Sequence, residues 1–136
     1  MVKRVLFICT HNSCRSQMAE ALLNHLCGSD YQAESAGVQK TEVHPLAIKV
    51  MDEIDIDIST QSSKLIEQFR EIQFDIVVTV CDNAKETCPF FPGKQVIHQS
   101  FQDPSQVTGS EEQKLQSFRK TRDEIKDWIL QTFCSQ

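Results

Sequence analysis

An apolar run, Val5-Leu6-Phe7-Ile8, ends on Cys9 and passes through Thr10-His11-Asn12-Ser13-Cys14 into Arg15-Ser16 and a helical pattern. A short, β-branched apolar stretch followed at once by a helix is the beginning of a strand–loop–helix unit, the building block of parallel sheets. The loop between the two elements ends at a helix N-terminus. Inward-pointing backbone N–H groups and the helix dipole make such a loop a cradle for an anion. Arg15 adds a planar fork suited to two oxygens of a tetrahedral oxyanion. Cys9 lies at the floor of the same positive field, which is expected to favour its thiolate form. Read blandly, Cys9 would end a buried strand and Arg15 would be a surface residue of the first turn. The context of strand, polar loop and helix favours the site.

The rest of the chain continues the alternation. Residues 3–8 read as a buried strand, and Ser16 to Leu26 as a helix with Met18, Ala21, Leu22 and Leu26 on one face, stopped by Gly28. Gln32 to Ser35 reads as a short strand ended by Ala36-Gly37. Pro45 opens a second helix carrying Leu46, Val50, Met51 and Ile54, and Ser62-Ser63 is placed to cap a short helix reaching about Arg70. Phe74–Val80 is the strongest strand, and Gln95 to His98 a weaker fourth. Ser110 with Gln113 has the pattern of a capping box. It opens a long helix with Leu115, Phe118, Ile125 and Ile129 on one face. The expected fold is α/β: one domain over residues 1–136, a four-stranded parallel sheet with helices on both faces. Ligands of such sheets sit at the carboxyl ends of the strands, where both Cys9 and Cys81 fall.

Composition narrows the possibilities. The chain has 136 residues, a formal charge of −5 and six cysteines. The negative charge argues against nucleic acid or an anionic membrane as the main partner. The short N-terminal apolar run suits a first strand rather than a signal peptide, and no stretch has the length of a membrane helix. A cytoplasmic location and a monomer are expected. Six thiols in a reducing compartment point to catalysis, redox exchange or metal binding rather than static disulfides.

Cys81-Asp82-Asn83-Ala84-Lys85-Glu86-Thr87-Cys88 places two thiols at the ends of a polar segment expected to be exposed. If each can approach the preceding thiol in turn, they could carry oxidising equivalents from Cys9 to the surface. A zinc site built from Cys9, Cys14, Cys81 and Cys88 is the competing reading, though the Cys-x2-Cys spacing common in structural sites is missing. Asp103-Pro104 follows the fourth strand on the side where strand-to-helix connections gather. A carboxyl there could protonate a leaving oxygen. His11 is read as tuning access or loop charge, while His25, His44 and His98 are read as structural. The side chains of Cys14, Cys27 and Cys134 receive no role.

Cys9-x5-Arg15-Ser16, the Cys81-x6-Cys88 pair and Asp103-Pro104 together resemble the thioredoxin-coupled arsenate reductases built on the low-molecular-weight protein tyrosine phosphatase fold. Ser35-Ala36-Gly37 and the segment from Arg119 to Lys126 extend the resemblance over nearly the whole chain. It implies that arsenate binds in the loop of Thr10, His11, Asn12, Ser13, Cys14 and Arg15. Cys9 would attack arsenic while Asp103 protonates the departing oxygen, with Ser16 hydrogen-bonded to the Cys9 sulfur. A Cys9–Cys81 disulfide, then a Cys81–Cys88 disulfide, would follow, and reduced thioredoxin would supply the electrons with no bound cofactor. Some relatives bind a monovalent cation beside the loop through residues matching Asn12, Glu20 and Ser35. Here Lys64 stands where a further acidic residue is expected, so its ammonium is expected to replace the ion. Phosphatase fold-mates carry proline where this chain has Gln17 and an aromatic where it has Ser105. A phosphatase, or a thiol or metal sensor without turnover, remain the alternatives.

Overall fold

The computed structural model describes residues 2–81 and 90–134. Its sheet contains β1 (Lys3–Ile8), β2 (Tyr31–Ala36), β3 (Ile76–Thr79) and β4 (Gln95–His98), in the order β2-β1-β3-β4. Every neighbouring pair is parallel, with Ile8 opposite both Ala36 and Thr79. The two central strands are the apolar ones, as burial on both faces requires. The α-helices are α1 (Arg15–Cys27), α2 (Pro45–Asp52) and α3 (Glu111–Ile129).

Successive side chains of a strand point to opposite faces, and β1 shows the consequence. Val5 and Phe7 join Met18, Leu22, Met51, Phe118 and Ile125 in one core that contains residues of all three α-helices. Leu6 and Ile8 face the other way, onto Ile66, Phe69, Phe74 and Phe91. Helical structure therefore covers both faces unequally: three α-helices on one, and the 3-10 turn Ile66–Phe69 on the other. Phe74 centres the smaller core, edge-on to Phe69 and Phe91 at centroid distances of 5.8 and 6.0 Å.

Local signals set most element ends. Pro45 occupies the first turn of α2 behind His44, whose Nδ1 accepts the Leu46 N–H at 3.1 Å. Ser110 and Gln113 form the expected capping box at the start of α3. Two expectations need correction. Ser62-Ser63 caps no helix: the segment forms only the short 3-10 turn behind Leu65, and the Ser63 hydroxyl is engaged elsewhere. The Ser62 carbonyl accepts from Gln17, and Ser63 Oγ donates to the His11 carbonyl and accepts the Thr41 N–H. The third strand is also shorter than Phe74–Val80: regular pairing runs over Ile76–Thr79, while the Phe74 side chain packs in the smaller core.

α2 and α3 are fastened by a charge cluster. Arg122 is 8% exposed, and its Nη1 donates to the Val50 carbonyl at 2.7 Å and to Glu53 at 2.9 Å. Arg119 grips the same carboxylate, with Nη2 2.7 Å from Glu53 Oε2. Hydrogen bonds from Arg119, supported by Arg122, hold the Glu53 carboxyl down at about 2. A carboxylate whose pKa falls on folding stabilises the fold above its ordinary range and loses that contribution as pH drops through its folded value. Glu53 is one-third exposed, so solvent screening keeps the effect modest. Glu53→Gln should therefore melt below wild type at neutral pH, with the gap closing between about pH 4.5 and 2. A gap that stayed constant in thermal melts across that range would contradict the assignment.

Candidate functional site

β1 runs out at Ile8, and the loop from Cys9 to Cys14 turns the chain into α1 at Arg15. The turn depends on Asn12, whose φ of +53° lies in the left-handed region. Non-glycine residues adopt it rarely, asparagine more readily than most. Asn12 is fully buried, and both polar atoms of its side chain have partners. Oδ1 accepts from Gln17 Nε2 at 2.9 Å and from the Lys64 backbone N–H at 2.7 Å, while Nδ2 donates to Ser16 Oγ at 2.7 Å. Gln17 Nε2 also reaches the Asn12 and Ser62 carbonyls at 3.0 and 2.9 Å, and Gln61 holds Gln17 in turn. No sequence signal marks the Gln17–Gln61 support, and Gln17 stands out there only as a departure from phosphatases.

Ser16 accepts the Asn12 amide, so its own proton is available to Cys9 Sγ, 2.9 Å away. Cys9 is 2% exposed. α1 begins behind Cys14 without a side-chain cap, leaving its first amides to another acceptor. Gly37 packs beneath the loop. A Cβ there would lie 2.7 Å from the Thr10 carbonyl oxygen, 2.8 Å from that of Cys9 and 2.9 Å from the Asn12 nitrogen. That close approach explains the Ser35-Ala36-Gly37 run, since any larger residue would push the loop off β2. Val38 and Gln39 complete the contact by donating to the Thr10 carbonyl. The His11 carbonyl is held by Thr41 and Ser63, and the Ser13 carbonyl accepts the His44 N–H at 2.9 Å.

Arg15 is 1% exposed, with Nη1 donating to the Phe101 carbonyl at 3.2 Å and Nη2 3.5 Å from Asp103 Oδ2. Asp103 leads the 3-10 turn Pro104–Gln106, and its Oδ1 accepts from the Ser105 N–H and hydroxyl at 2.9 and 2.7 Å. Ser105 thus fixes the orientation of the Asp103 carboxylate. Cys14 Sγ points at Asp103 Oδ1 from 3.6 Å. Burial pushes the Cys14 thiol far up, with Asp103 and Cys9 adding to the effect, so Cys14 stays protonated. It is no competing nucleophile.

Cys81 follows β3 on the strand beside β1, fully buried. Thr10 Oγ1 is 4.0 Å from its sulfur, so the Cys81 thiol abuts the Cys9 loop. Cys9, Cys14 and Cys81 are all reduced, outside any disulfide. Cys88 lies outside the described residues. Lys64 Nζ sits 3.4 Å from Glu20 Oε1, which also accepts the Ser35 hydroxyl at 2.5 Å. Burial raises the Glu20 carboxyl, against the lowering pull of Ser35 and Lys64. Of the remaining histidines, His98 Nδ1 shares a 2.7 Å hydrogen bond with the Thr79 hydroxyl, and His44 packs against Phe118 in a tilted arrangement, with ring centroids 4.7 Å apart. Among the described residues no three His, Cys, Asp or Glu side chains gather as a metal site, and no helix is long and apolar enough to cross a membrane.

The structure pairs two thiols to which the sequence assigns no role. Cys27 and Cys134 form a disulfide, because α1 ends where the π-helical turn Leu130–Cys134 returns, bringing their Cα atoms within 5.8 Å.

A parallel sheet with a Cys9–Arg15 anion loop at the carboxyl end of β1 defines a class of phosphatase-like oxyanion enzymes. Residues 4–135 match the low molecular weight phosphotyrosine protein phosphatase family, and the chain belongs to it. Within that family it is similar to the arsenate reductase of Halalkalibacterium halodurans, 44% identical over 124 residues covering 90% of this chain and 89% of the relative. A solved arsenate reductase in its phosphate-binding state superposes with a TM-score of 0.80 at 33% identity, covering 95% of each chain. The thioredoxin-dependent arsenate reductase of Corynebacterium glutamicum matches with a TM-score of 0.64 at 30% identity, over 96% of this chain and 63% of the other.

Proposed function

We propose that this chain reduces arsenate to arsenite, drawing electrons from thioredoxin. The observation that carries the reading is the Cys81 thiol, reduced and buried against the Cys9 loop. Phosphate-ester hydrolysis has no use for a second thiol there, whereas a two-electron reduction needs one. Curated relatives over 40% identical are arsenate reductases, and a thioredoxin-dependent one shares the fold.

In this mechanism arsenate enters the loop, with oxygens on the backbone amides and on Arg15, whose guanidinium turns from Asp103 toward the anion. Cys9 sulfur attacks arsenic, and Asp103 delivers a proton to the departing oxygen, which leaves as water. Arsenic is still in its higher oxidation state in this adduct. Cys81 thiolate then attacks Cys9 Sγ. The S–As bond breaks with its electron pair remaining on arsenic, so arsenite departs and a Cys9–Cys81 disulfide forms. Cys88 attacks Cys81 and frees Cys9. The dithiol of thioredoxin reduces the resulting Cys81–Cys88 disulfide.

The Lys64 ammonium near Glu20 and Ser35 takes the place that a monovalent cation would hold next to Asn12. Exchanging sodium for potassium at constant ionic strength should leave turnover unchanged, and a clear rise with potassium would argue against the substitution.

Cys88→Ser should release about one arsenite per enzyme in a coupled thioredoxin assay and then stall, because the disulfide relay is cut. Sustained turnover by this variant would remove Cys88 from the pathway. Asp103→Asn should slow formation of the Cys9 adduct by ~10²–10⁴-fold in single-turnover experiments, the range for a lost general acid. An unaltered rate would place the proton donor elsewhere. If wild type yields no arsenite but still cleaves an aryl phosphate, the chain is a phosphatase and Cys81 a bystander.

A further inference from the structure

The Cys27–Cys134 disulfide lies far from the oxyanion loop. Cys9 lies against the first turn of α1, its sulfur 2.9 Å from Ser16 Oγ, and Cys27 is the last residue of that 13-residue helix. At about 1.5 Å per residue the two ends are roughly 20 Å apart, beyond any direct attack of one sulfur on the other. The pair also differs in environment. Cys27 is 6% exposed, while Cys134 is half-buried at the edge of the C-terminal turn. That turn is already seated by apolar packing: Phe133 lies edge-on to Tyr31 at 5.1 Å, to Trp128 at 5.7 Å and to Phe7 at 6.3 Å. The disulfide is therefore flanked by apolar packing that also fixes the C-terminal turn.

We propose that Cys27 and Cys134 form a second redox site, a dithiol that peroxide or a small-molecule disulfide oxidises reversibly into a latch between α1 and the C-terminal turn. The more accessible Cys134 attacks first. With peroxide, its thiolate takes one oxygen to become a sulfenic acid as hydroxide leaves. Cys27 then attacks that sulfur and expels water, so two thiols and one hydrogen peroxide give one disulfide and two waters. A dithiol returns both electrons by exchange. The bond joins residues 107 positions apart and closes a ring that contains β2, α2, β3, β4 and α3. Closing so long a loop restricts the unfolded chain strongly. The latch therefore makes resistance to unfolding depend on the oxidant level, without drawing on the thiols beside Arg15. This assignment holds whatever oxyanion the loop accepts.

The test uses the full chain with Cys9, Cys81 and Cys88 replaced by serine, leaving Cys14 as an internal control. The reduced protein is treated with one equivalent of hydrogen peroxide, or equilibrated in reduced and oxidised glutathione, then alkylated and mapped by mass spectrometry. The expected result is loss of two alkylation sites as a Cys27–Cys134 cross-link, with Cys14 still a thiol. The melting temperature should rise by roughly 5–15 °C on oxidation and fall back with dithiothreitol. Cys27→Ser and Cys134→Ser in the same background should abolish the rise. If the triple variant does not fold, mapping the cross-link and following the melt in wild type decide the same question. Thiols that stay alkylatable, stable glutathione adducts in place of the cross-link, pairing with another cysteine, or a melt indifferent to oxidation would each overturn the proposal.

Discussion

The buried Asn12 side chain is the joint on which the rest of the site depends. Its backbone turns left-handed to aim the loop, and its amide ties the loop to the first turn of α1 and to the segment at Lys64. Through Ser16 it reaches the Cys9 sulfur, through Gln17 it reaches the first turn of α1, and through the Lys64 N–H it reaches the segment behind β2. A left-handed asparagine costs free energy by itself. Here that cost is offset because every polar atom of the side chain has a partner in a buried setting, where hydrogen bonds are strong and unmade ones expensive. Gly37 serves the same end sterically, letting β2 approach the loop to a distance no side chain would allow.

With the loop held, the parallel sheet supplies the remaining groups. β1 and β3 are neighbours in register, so chain emerging from both delivers Cys9 and Cys81 to one edge. The connection after β4 brings Asp103 to the same edge, where Arg15 meets it. Three thiols share this region, and their environments divide them. Cys14 is kept protonated by burial beside Asp103, while Ser16 serves Cys9 and Thr10 borders Cys81. The fold thereby gives the three thiols distinct surroundings within a small region. Cys27 and Cys134 are kept apart from them by the length of α1, so sulfur chemistry at one end of the helix is insulated from the other.

Wherever a short stretch carries its own physical instruction, the sequence was sufficient. β1 and β4 have the bounds read from their apolar patterns, Pro45 opens α2, and Ser110 with Gln113 caps α3. Cys9-x5-Arg15, between strand and helix, announced an anion loop. Ser62-Ser63 failed because a cap signal is only an offer of hydrogen bonds, and the Ser63 hydroxyl is taken up by His11 and Thr41 instead. Cys27 and Cys134 were unreadable as a pair, since nothing local to either residue signals a partner 107 positions away.

By itself, then, the chain's order of residues determined the periodic elements, their succession, and the presence of a thiol and a guanidinium at one helix start. Those features depend on interactions among residues a few positions apart. Only the tertiary structure decided that Gln17 and Gln61 brace the loop, that Lys64 meets Glu20, that Ser105 orients Asp103 toward Arg15, and that α1 ends against the C-terminal turn. Apart from the Ser105 turn itself, these are contacts between distant segments. They exist because the sheet's register and the packing of two cores bring those segments together.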